Sequence, residues 1–190
     1  DPDPEAERKI GEVLANARRS LPGLGNMALP EEGRLSFHAD LSEACAGASW
    51  VQESVPERLD TKHKVYAQLA DCVAAEAVIG SSTSGYKPSE LQAGMANAHQ
   101  IVVTHPFNPV YLLPLIELVS TEANSADVIA TAKEVISGIG MYPLHLKKEI
   151  DAHIADRFLE AVWREALWLI NDGIATTEEI DNAIRYGFGI

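Results

Sequence analysis

The sequence has 190 residues, of which 46% are apolar and 23% are charged, as is ordinary for a globular protein. Its net charge of -13 argues against nucleic acid as a partner, because binding a polyanion needs clustered lysine and arginine. No stretch approaches the ~18 consecutive apolar residues of a membrane-spanning helix. Cys45 and Cys72 fit neither a metal-ligand nor a disulfide spacing. We therefore expect a cytoplasmic protein without a metal site.

The first part of the chain alternates predicted helices with predicted strands. Apolar residues at helical spacing predict a helix over residues 6–19. Short apolar runs predict strands over residues 35–37, 49–53, 77–81, 101–105, 115–119 and 142–146. Helices are predicted between them over residues 62–75 and 126–137, and Gly138 and Gly140 end the second. This alternation predicts an α/β fold with a mostly parallel sheet.

The pattern changes near residue 151, beyond which no strand is predicted. Residues 153–171 form one helical stretch that is apolar on much of its circumference and ends at Gly173. Another helix is expected to begin with Thr176 or Thr177 as its N-cap. A helix this apolar is usually buried between helices or in a subunit interface. We therefore predict two domains, residues 1–148 and residues 149–190, and a homodimer.

Ser81 to Gly85 form a hydroxyl-rich run between a predicted strand and a predicted helix. In an open parallel sheet, loops at the carboxyl ends of the strands face the ligand crevice. Hydroxyl groups placed there can bind a substrate oxygen or a cofactor ribose. The alternative is a serine-rich turn that satisfies only its own backbone.

His105 follows the strand-like run that ends at Thr104, and two prolines, Pro106 and Pro109, make the next loop rigid. Glu117 lies twelve residues further on, in the next strand-like run. A carboxylate paired with one ring nitrogen sets the tautomer of a histidine that acts as a base through the other. The alternative is a purely structural histidine at a strand end.

Asp156 lies near the start of the long helix, where Glu160 and Trp163 share its face. The alternative for this aspartate is an acid that only stabilises the helix N-terminus.

Taken together, four runs resemble the 3-hydroxyacyl-CoA dehydrogenase family in its short-substrate branch. They are SSTSG at residues 81–85, HPFNP at 105–109, PLIELV at 114–119 and IADRFLEA at 154–161. The resemblance extends over nearly the whole chain. It implies a Rossmann-like, doubly wound sheet followed by the start of an all-helical domain for substrate binding and dimerisation. It also implies an oxidoreductase that uses NAD.

The resemblance assigns roles residue by residue. His105 matches the catalytic base and Glu117 matches the acid that orients it. Ser84 matches the serine that binds the reacting oxygen beside the nicotinamide. The matched cofactor contacts are Asp1, at the adenosine ribose, and Glu57, Lys62, Ser84 and Asn108. Because a carboxylate at Asp1 repels a 2′-phosphate, NAD is expected rather than NADP.

The sequence departs from the family pattern in two places. Asp156 stands where the acyl-CoA enzymes have asparagine, and an ionised carboxylate cannot donate a hydrogen bond to a carbonyl. The first strand and its Gly-x-Gly-x-x-Gly turn, which binds the pyrophosphate, do not occur in this sequence. We therefore expect about thirty further residues ahead of Asp1 in the intact protein, and poor NAD binding without them.

The substrate implied by the closest motif variants is L-carnitine, oxidised to 3-dehydrocarnitine. Aromatic faces usually bind its quaternary ammonium group. Candidates for such contacts are Tyr86, Phe107, Tyr111 and Trp163, with Asp156 or Glu160 as the counter-charge, and the alternative for each ring is core packing. L-gulonate and a 3-hydroxyacyl-CoA are the alternative substrates, and a crystallin-like structural dimer is the non-enzymatic alternative.

Overall fold

The computed structural model describes residues 3–24 and 29–189. The chain divides into two compact units, Asp1–Asp151 and Ala152–Ile190. Helices of the first unit are Ala6–Ser20 (α1), Leu41–Cys45 (α2), Leu59–Ala70 (α3), Pro88–Gln92 (α4) and Ala126–Gly138 (α5), with short 3₁₀ turns at Leu21–Gly23 and Ala98–Gln100. No helix in the described ranges is long and apolar enough to cross a membrane.

A five-stranded sheet forms the centre of the first unit. Its strands are Trp50–Glu53 (β1), Val78–Ser81 (β2), Ile101–Pro106 (β3), Leu115–Val119 (β4) and Tyr142–His145 (β5), and they lie side by side in chain order. Three of the four strand pairs are parallel, and β3 with β4 is the antiparallel exception. The predicted α/β class with a mostly parallel sheet is therefore confirmed.

Helices cover both faces of this sheet. On one face, Tyr66 and Leu69 of α3 and Leu91 of α4 pack with Ile79 and Val103. On the other face, apolar side chains of α5 pack against those of the sheet, in a cluster formed by Val78, Val102, Leu118 and Ala132. Because side chains alternate along a strand, neighbouring residues of β2 and of β3 supply apolar side chains to opposite faces. These two cores fix the strands whose ends form the candidate site.

Two predictions about local structure need correction. The predicted strand at residues 35–37 is wrong, since this exposed segment is irregular and none of the five described strands pairs with it. A strand needs a paired neighbour, which a short apolar run does not reveal. The helix predicted over residues 62–75 is α3, which begins earlier because Leu59 packs on the core and ends earlier because the chain turns back toward β2.

The second unit is helical. It contains Ala155–Asn171 (α6) and Thr177–Ala183 (α7), followed by a π-helical turn at Ile184–Phe188. Gly173, with φ +68°, follows the end of α6, and Thr176 caps α7 by accepting a hydrogen bond from the Glu179 amide at 3.2 Å. The apolar face of α6 is exposed in this chain, at Phe158, Leu159, Trp163, Leu167 and Trp168. The burial predicted for this helix is therefore not found within the single chain.

Candidate active site

The candidate site lies at one edge of the sheet, where β1, β2 and β3 end. Because β4 runs antiparallel to β3, its first residues return to that same edge. The register places His105 of β3 directly opposite Glu117 of β4. Side chains of directly opposed residues lie on the same face of a sheet. The two predicted catalytic residues are thus neighbours because of how these strands pair.

His105 and Glu117 form a buried hydrogen-bonded pair. The His105 Nδ1 atom lies 3.0 Å from the Glu117 Oε2 atom. His105 is 6% exposed and Glu117 is fully buried. The ring of Phe107 packs edge-on against the imidazole, with the ring centroids 5.4 Å apart. A buried carboxylate at this distance accepts Nδ1–H and leaves Nε2 as the atom that can take a proton.

The hydroxyl-rich run after β2 separates into inward and outward side chains. Ser81 and Thr83 are buried, whereas Ser84 is exposed. The Thr83 hydroxyl accepts hydrogen bonds from the Gly85 amide at 3.3 Å and the Tyr86 amide at 3.0 Å. The Thr83 side chain therefore stabilises the turn, while Ser84 is presented to the outside of the loop.

A buried cluster of charged and hydroxyl groups lies beneath this loop. Lys62 is 1% exposed, and its Nζ atom lies 3.0 Å from Glu53 Oε1 and 3.2 Å from Glu57 Oε2. Tyr66 and Ser81 donate hydrogen bonds to Glu53 Oε2 at 2.6 Å and 2.7 Å. Neither Glu53 nor Tyr66 was predicted from the sequence to be a site residue, although Glu53 stands out as a glutamate at the end of an apolar, strand-like run.

Glu57 connects this cluster to the loop. Its carboxylate accepts hydrogen bonds from the Thr83 hydroxyl and from the Gly85 amide, the latter at 3.1 Å. Partial burial acts to raise the pKa of Glu57, but the hydrogen bonds from Thr83, Gly85 and Lys62 together outweigh it and lower this pKa below its ordinary value. The group is therefore held as a carboxylate.

The other predicted site residues lie in the loop between β3 and β4, just before α4, and in α6. Asn108 is exposed and Tyr111 is half-buried in the loop between β3 and β4, where the Asn108–Pro109 peptide bond is cis. Phe107 also lines a shallow apolar depression of about 380 Å³, which is formed with Leu113, Pro114, Leu115 and Tyr142. Tyr86 is half-buried against the core.

Asp156, Glu160 and Trp163 belong to α6 of the second unit, where Trp163 is 61% exposed. Asp1 lies outside the described residues.

Family models match both units of the chain. Residues 12–150 match the NAD-binding domain of 3-hydroxyacyl-CoA dehydrogenase. Residues 153–190 match the C-terminal domain of the same family.

Individual relatives agree with this assignment. A protein of Ruegeria pomeroyi named L-carnitine dehydrogenase/betainyl-CoA thioesterase is 73% identical over all of this chain, which covers 39% of that protein. L-carnitine dehydrogenase of Mesorhizobium japonicum is 52% identical, and the chain covers 52% of it. The chain therefore spans about half or less of these two relatives.

A solved structure supports the fold. The NAD-dependent 5-formyl-3-hydroxy-2-methylpyridine 4-carboxylic acid 5-dehydrogenase superposes with a TM-score of 0.88 at 31% identity, over 98% of this chain and 61% of that one. Together with the matched models, this likeness confirms the Rossmann-like fold expected from the sequence motifs. The chain belongs to the 3-hydroxyacyl-CoA dehydrogenase family.

Proposed function

We propose that the protein containing this chain oxidises a short 3-hydroxy acid with NAD, and that its substrate is L-carnitine, which becomes 3-dehydrocarnitine. The observation that carries this proposal is the buried His105–Glu117 pair at the sheet edge, at a distance of 3.0 Å. The substrate is supported by the two relatives named as L-carnitine dehydrogenases, which are 73% and 52% identical to this chain.

In the proposed reaction, His105 acts as the general base. Its Nε2 atom takes the proton of the substrate hydroxyl as the carbon–hydrogen bond breaks. NAD, held by Ser84, Asn108 and Glu57, would supply the acceptor for the hydride. Glu117 accepts the Nδ1–H bond and stabilises the imidazolium that forms. Ser84 holds the substrate oxygen as it becomes a carbonyl. A base placed in this way contributes roughly 10²–10⁴-fold to the rate.

The sheet edge fits a dinucleotide. Open α/β sheets bind such cofactors outside the carboxyl ends of their strands, and Ser84 and Glu57 are both accessible there. We assign Ser84, Asn108 and Glu57 to the cofactor, with Lys62 beneath Glu57 and Asp1 at the adenosine ribose. In this proposal residues 1–148 form the cofactor domain, and residues 149–190 begin the substrate and dimerisation domain.

Recognition of carnitine requires a site for a quaternary ammonium group, which forms no ordinary hydrogen bond. An aromatic face attracts such a cation by about 0.5–2 kcal/mol. In the first unit, Phe107 and Tyr111 are our candidates for this contact. In the second unit, Trp163 is a candidate for an aromatic contact and Asp156 for the counter-charge. An aspartate there suits a cationic substrate, whereas the asparagine of the acyl-CoA enzymes suits a carbonyl. Tyr86 is the alternative candidate for the aromatic contact, and Glu160 is the alternative candidate for the counter-charge.

The remaining assignments are a homodimer and a cytoplasmic location. The exposed apolar face of α6 is the surface proposed for dimerisation. A cytoplasmic enzyme has access to the NAD pool, and both cysteines are free thiols, as is usual in that compartment.

One assay separates the candidate functions. The full-length protein is mixed with NAD and, in turn, L-carnitine, L-gulonate, 3-hydroxybutyrate and 3-hydroxybutyryl-CoA, and NADH absorbance is followed. We expect L-carnitine to have the highest kcat/KM. If another compound of the panel has a higher kcat/KM, that compound rather than L-carnitine is the substrate. An absence of turnover on every member would overturn the enzymatic proposal and favour a crystallin-like structural dimer.

A further inference from the structure

A groove lies at the edge of the sheet opposite the candidate active site. Because β4 is antiparallel to β3 and β5 is parallel to β4, the carboxyl ends of β4 and β5 lie at this opposite edge. Ligands of open α/β sheets usually bind beside the carboxyl ends of strands. The reversal of β4 thus gives the sheet a second edge of that kind. A groove of about 850 Å³ lies there, lined by the residues after β4, by the end of β5 with the segment after it, and by α4.

A hydrogen-bonded pair of side chains forms part of the groove wall. Ser120 directly follows β4 and His145 ends β5, and the Ser120 hydroxyl oxygen lies 3.1 Å from His145 Nε2. Burial lowers the pKa of His145, and the nearby Lys133 ammonium of α5 lowers it further. The ring is therefore neutral near pH 7. If the Ser120 hydroxyl donates to Nε2, the ring proton lies on Nδ1, which can donate to a ligand in the groove.

Two adjacent lysines, Lys147 and Lys148, also line the groove, and both are exposed. Within the part of the chain that the structure describes, neither lysine forms an ion pair or a side-chain hydrogen bond. The acidic residues of the groove are Glu122 and Glu149. The Glu149 carboxylate accepts hydrogen bonds from the Ser89 amide at 3.1 Å and from the Ser89 hydroxyl at 2.8 Å, which hold it against α4. In a chain of net charge -13, this groove therefore presents two lysines whose charge no neighbouring carboxylate pairs with.

We propose that the groove is a binding site for the phosphate group of a small molecule. Lys147 and Lys148 supply the opposing charge, and His145 Nδ1 donates a hydrogen bond. Ser120 is a positioning residue, because it fixes the tautomer of His145. A phosphate group has several acceptor oxygens and up to two negative charges, which matches two lysines and a neutral donor better than a single carboxylate does. The proposed oxidation uses none of these residues.

The test measures phosphate binding by the full-length protein with calorimetry at constant ionic strength. Saturating NADH is present, so that the phosphate-binding part of the cofactor site is already occupied. The probes are inorganic phosphate, glycerol 3-phosphate and succinate. The variants are Lys147→Gln/Lys148→Gln and Ser120→Ala. The matched control is Arg34→Gln/Lys64→Gln, which also removes two exposed positive charges, but outside the groove.

For the wild type we expect one phosphate bound per chain with a Kd of about 1 mM or lower. The double lysine variant should bind phosphate at least about tenfold more weakly, because it loses two charged donors. Ser120→Ala should weaken binding roughly two- to fivefold, as for the loss of one neutral hydrogen bond. The control should keep the wild-type Kd within about twofold, because exposed charges more than about 10 Å apart are largely screened. All variants should keep the wild-type kcat on L-carnitine.

Glycerol 3-phosphate that binds more tightly than inorganic phosphate would support a site for a phosphate ester, and the reverse would support a site for phosphate itself. Succinate that binds more tightly than both would overturn the assignment to phosphate. An absence of phosphate binding to the wild type at 10 times the expected Kd would overturn the site, as would an unchanged Kd in the double lysine variant. An equal loss in the control would reduce the effect to general charge. Since binding is measured without turnover, these results stand whether or not the protein oxidises L-carnitine.

Discussion

Replacement of Glu117 by glutamine tests the proposed catalytic role of the His105–Glu117 pair with little change in side-chain shape. Glu117 is fully buried, and its Oε2 atom lies 3.0 Å from His105 Nδ1. A hydrogen bond to a charged group contributes about 1.5–3 kcal/mol. This hydrogen bond strengthens as the imidazole becomes positive in the transition state. In Glu117→Gln, most of the lost free energy is therefore lost from the transition state and not from the ground state. Since each ~1.4 kcal/mol corresponds to a tenfold change in rate, we expect kcat to fall about 10–150-fold.

The assay is the steady-state oxidation of L-carnitine, followed by NADH absorbance in wild type, Glu117→Gln, His105→Asn and the double variant. If Glu117 acts only through His105, the double variant is no slower than His105→Asn, because residues that act as a unit are not additive. Glu122→Gln, an exposed glutamate beyond the end of β4, should keep the wild-type kcat. The proposed role of Glu117 is refuted if Glu117→Gln also keeps the wild-type kcat. It is likewise refuted if the losses in kcat of the two single variants multiply in the double variant.

Three further outcomes are expected. Gly80→Ala should lower the free energy of unfolding by about 1–3 kcal/mol, because the new Cβ atom would overlap the Thr104 hydroxyl; an unchanged thermal midpoint would contradict this overlap. Burial acts to raise the pKa of Glu57, yet the hydrogen bonds to its carboxylate lower this pKa overall. The ionised carboxylate therefore stabilises the fold at pH values above the pKa of the unfolded state, near 4.5. This stabilisation is lost as the pH falls through the lower pKa of the folded state. Acid unfolding curves should therefore be less steep below pH ~4.5 for Glu57→Gln than for wild type, and parallel curves would contradict the shift. Trp163→Ala and Tyr111→Ala should raise the KM for carnitine more than they lower kcat; an unchanged KM in both would show that these rings do not bind the ammonium group.

Much of the α/β architecture was predictable because strand and helix periodicities are local. The runs that became β1 to β5 each carry an apolar pattern of strand length. Pairing is different, since it depends on residues that are distant in sequence. The antiparallel return of β4 and the register that opposes His105 to Glu117 could not be derived from spacing. For the same reason, the apolar residues 35–37 were wrongly predicted to form a strand.

The sequence predicted that His105 and Glu117 could pair, which the structure shows, but it did not predict the buried groups nearby. His105 and Glu117 were identified from residue type, position after strands and family motifs. Lys62 was identified only through the family resemblance, as a cofactor contact. Its burial against Glu53 depends on how α3 packs on the sheet, which periodicity does not specify. A charged residue in a predicted helix is usually assumed to be exposed, and this assumption hides a buried ion pair.

The most direct test of the proposed chemistry compares NADH formation from L-carnitine by the full-length wild-type protein and by His105→Asn under the same conditions. We expect turnover by the wild type, and a rate at least about 100-fold lower for the variant, with its thermal midpoint and its Kd for NADH preserved. A variant that retains the wild-type rate would show that His105 is not the base. A wild-type protein that forms no NADH from L-carnitine would contradict the proposed reaction itself.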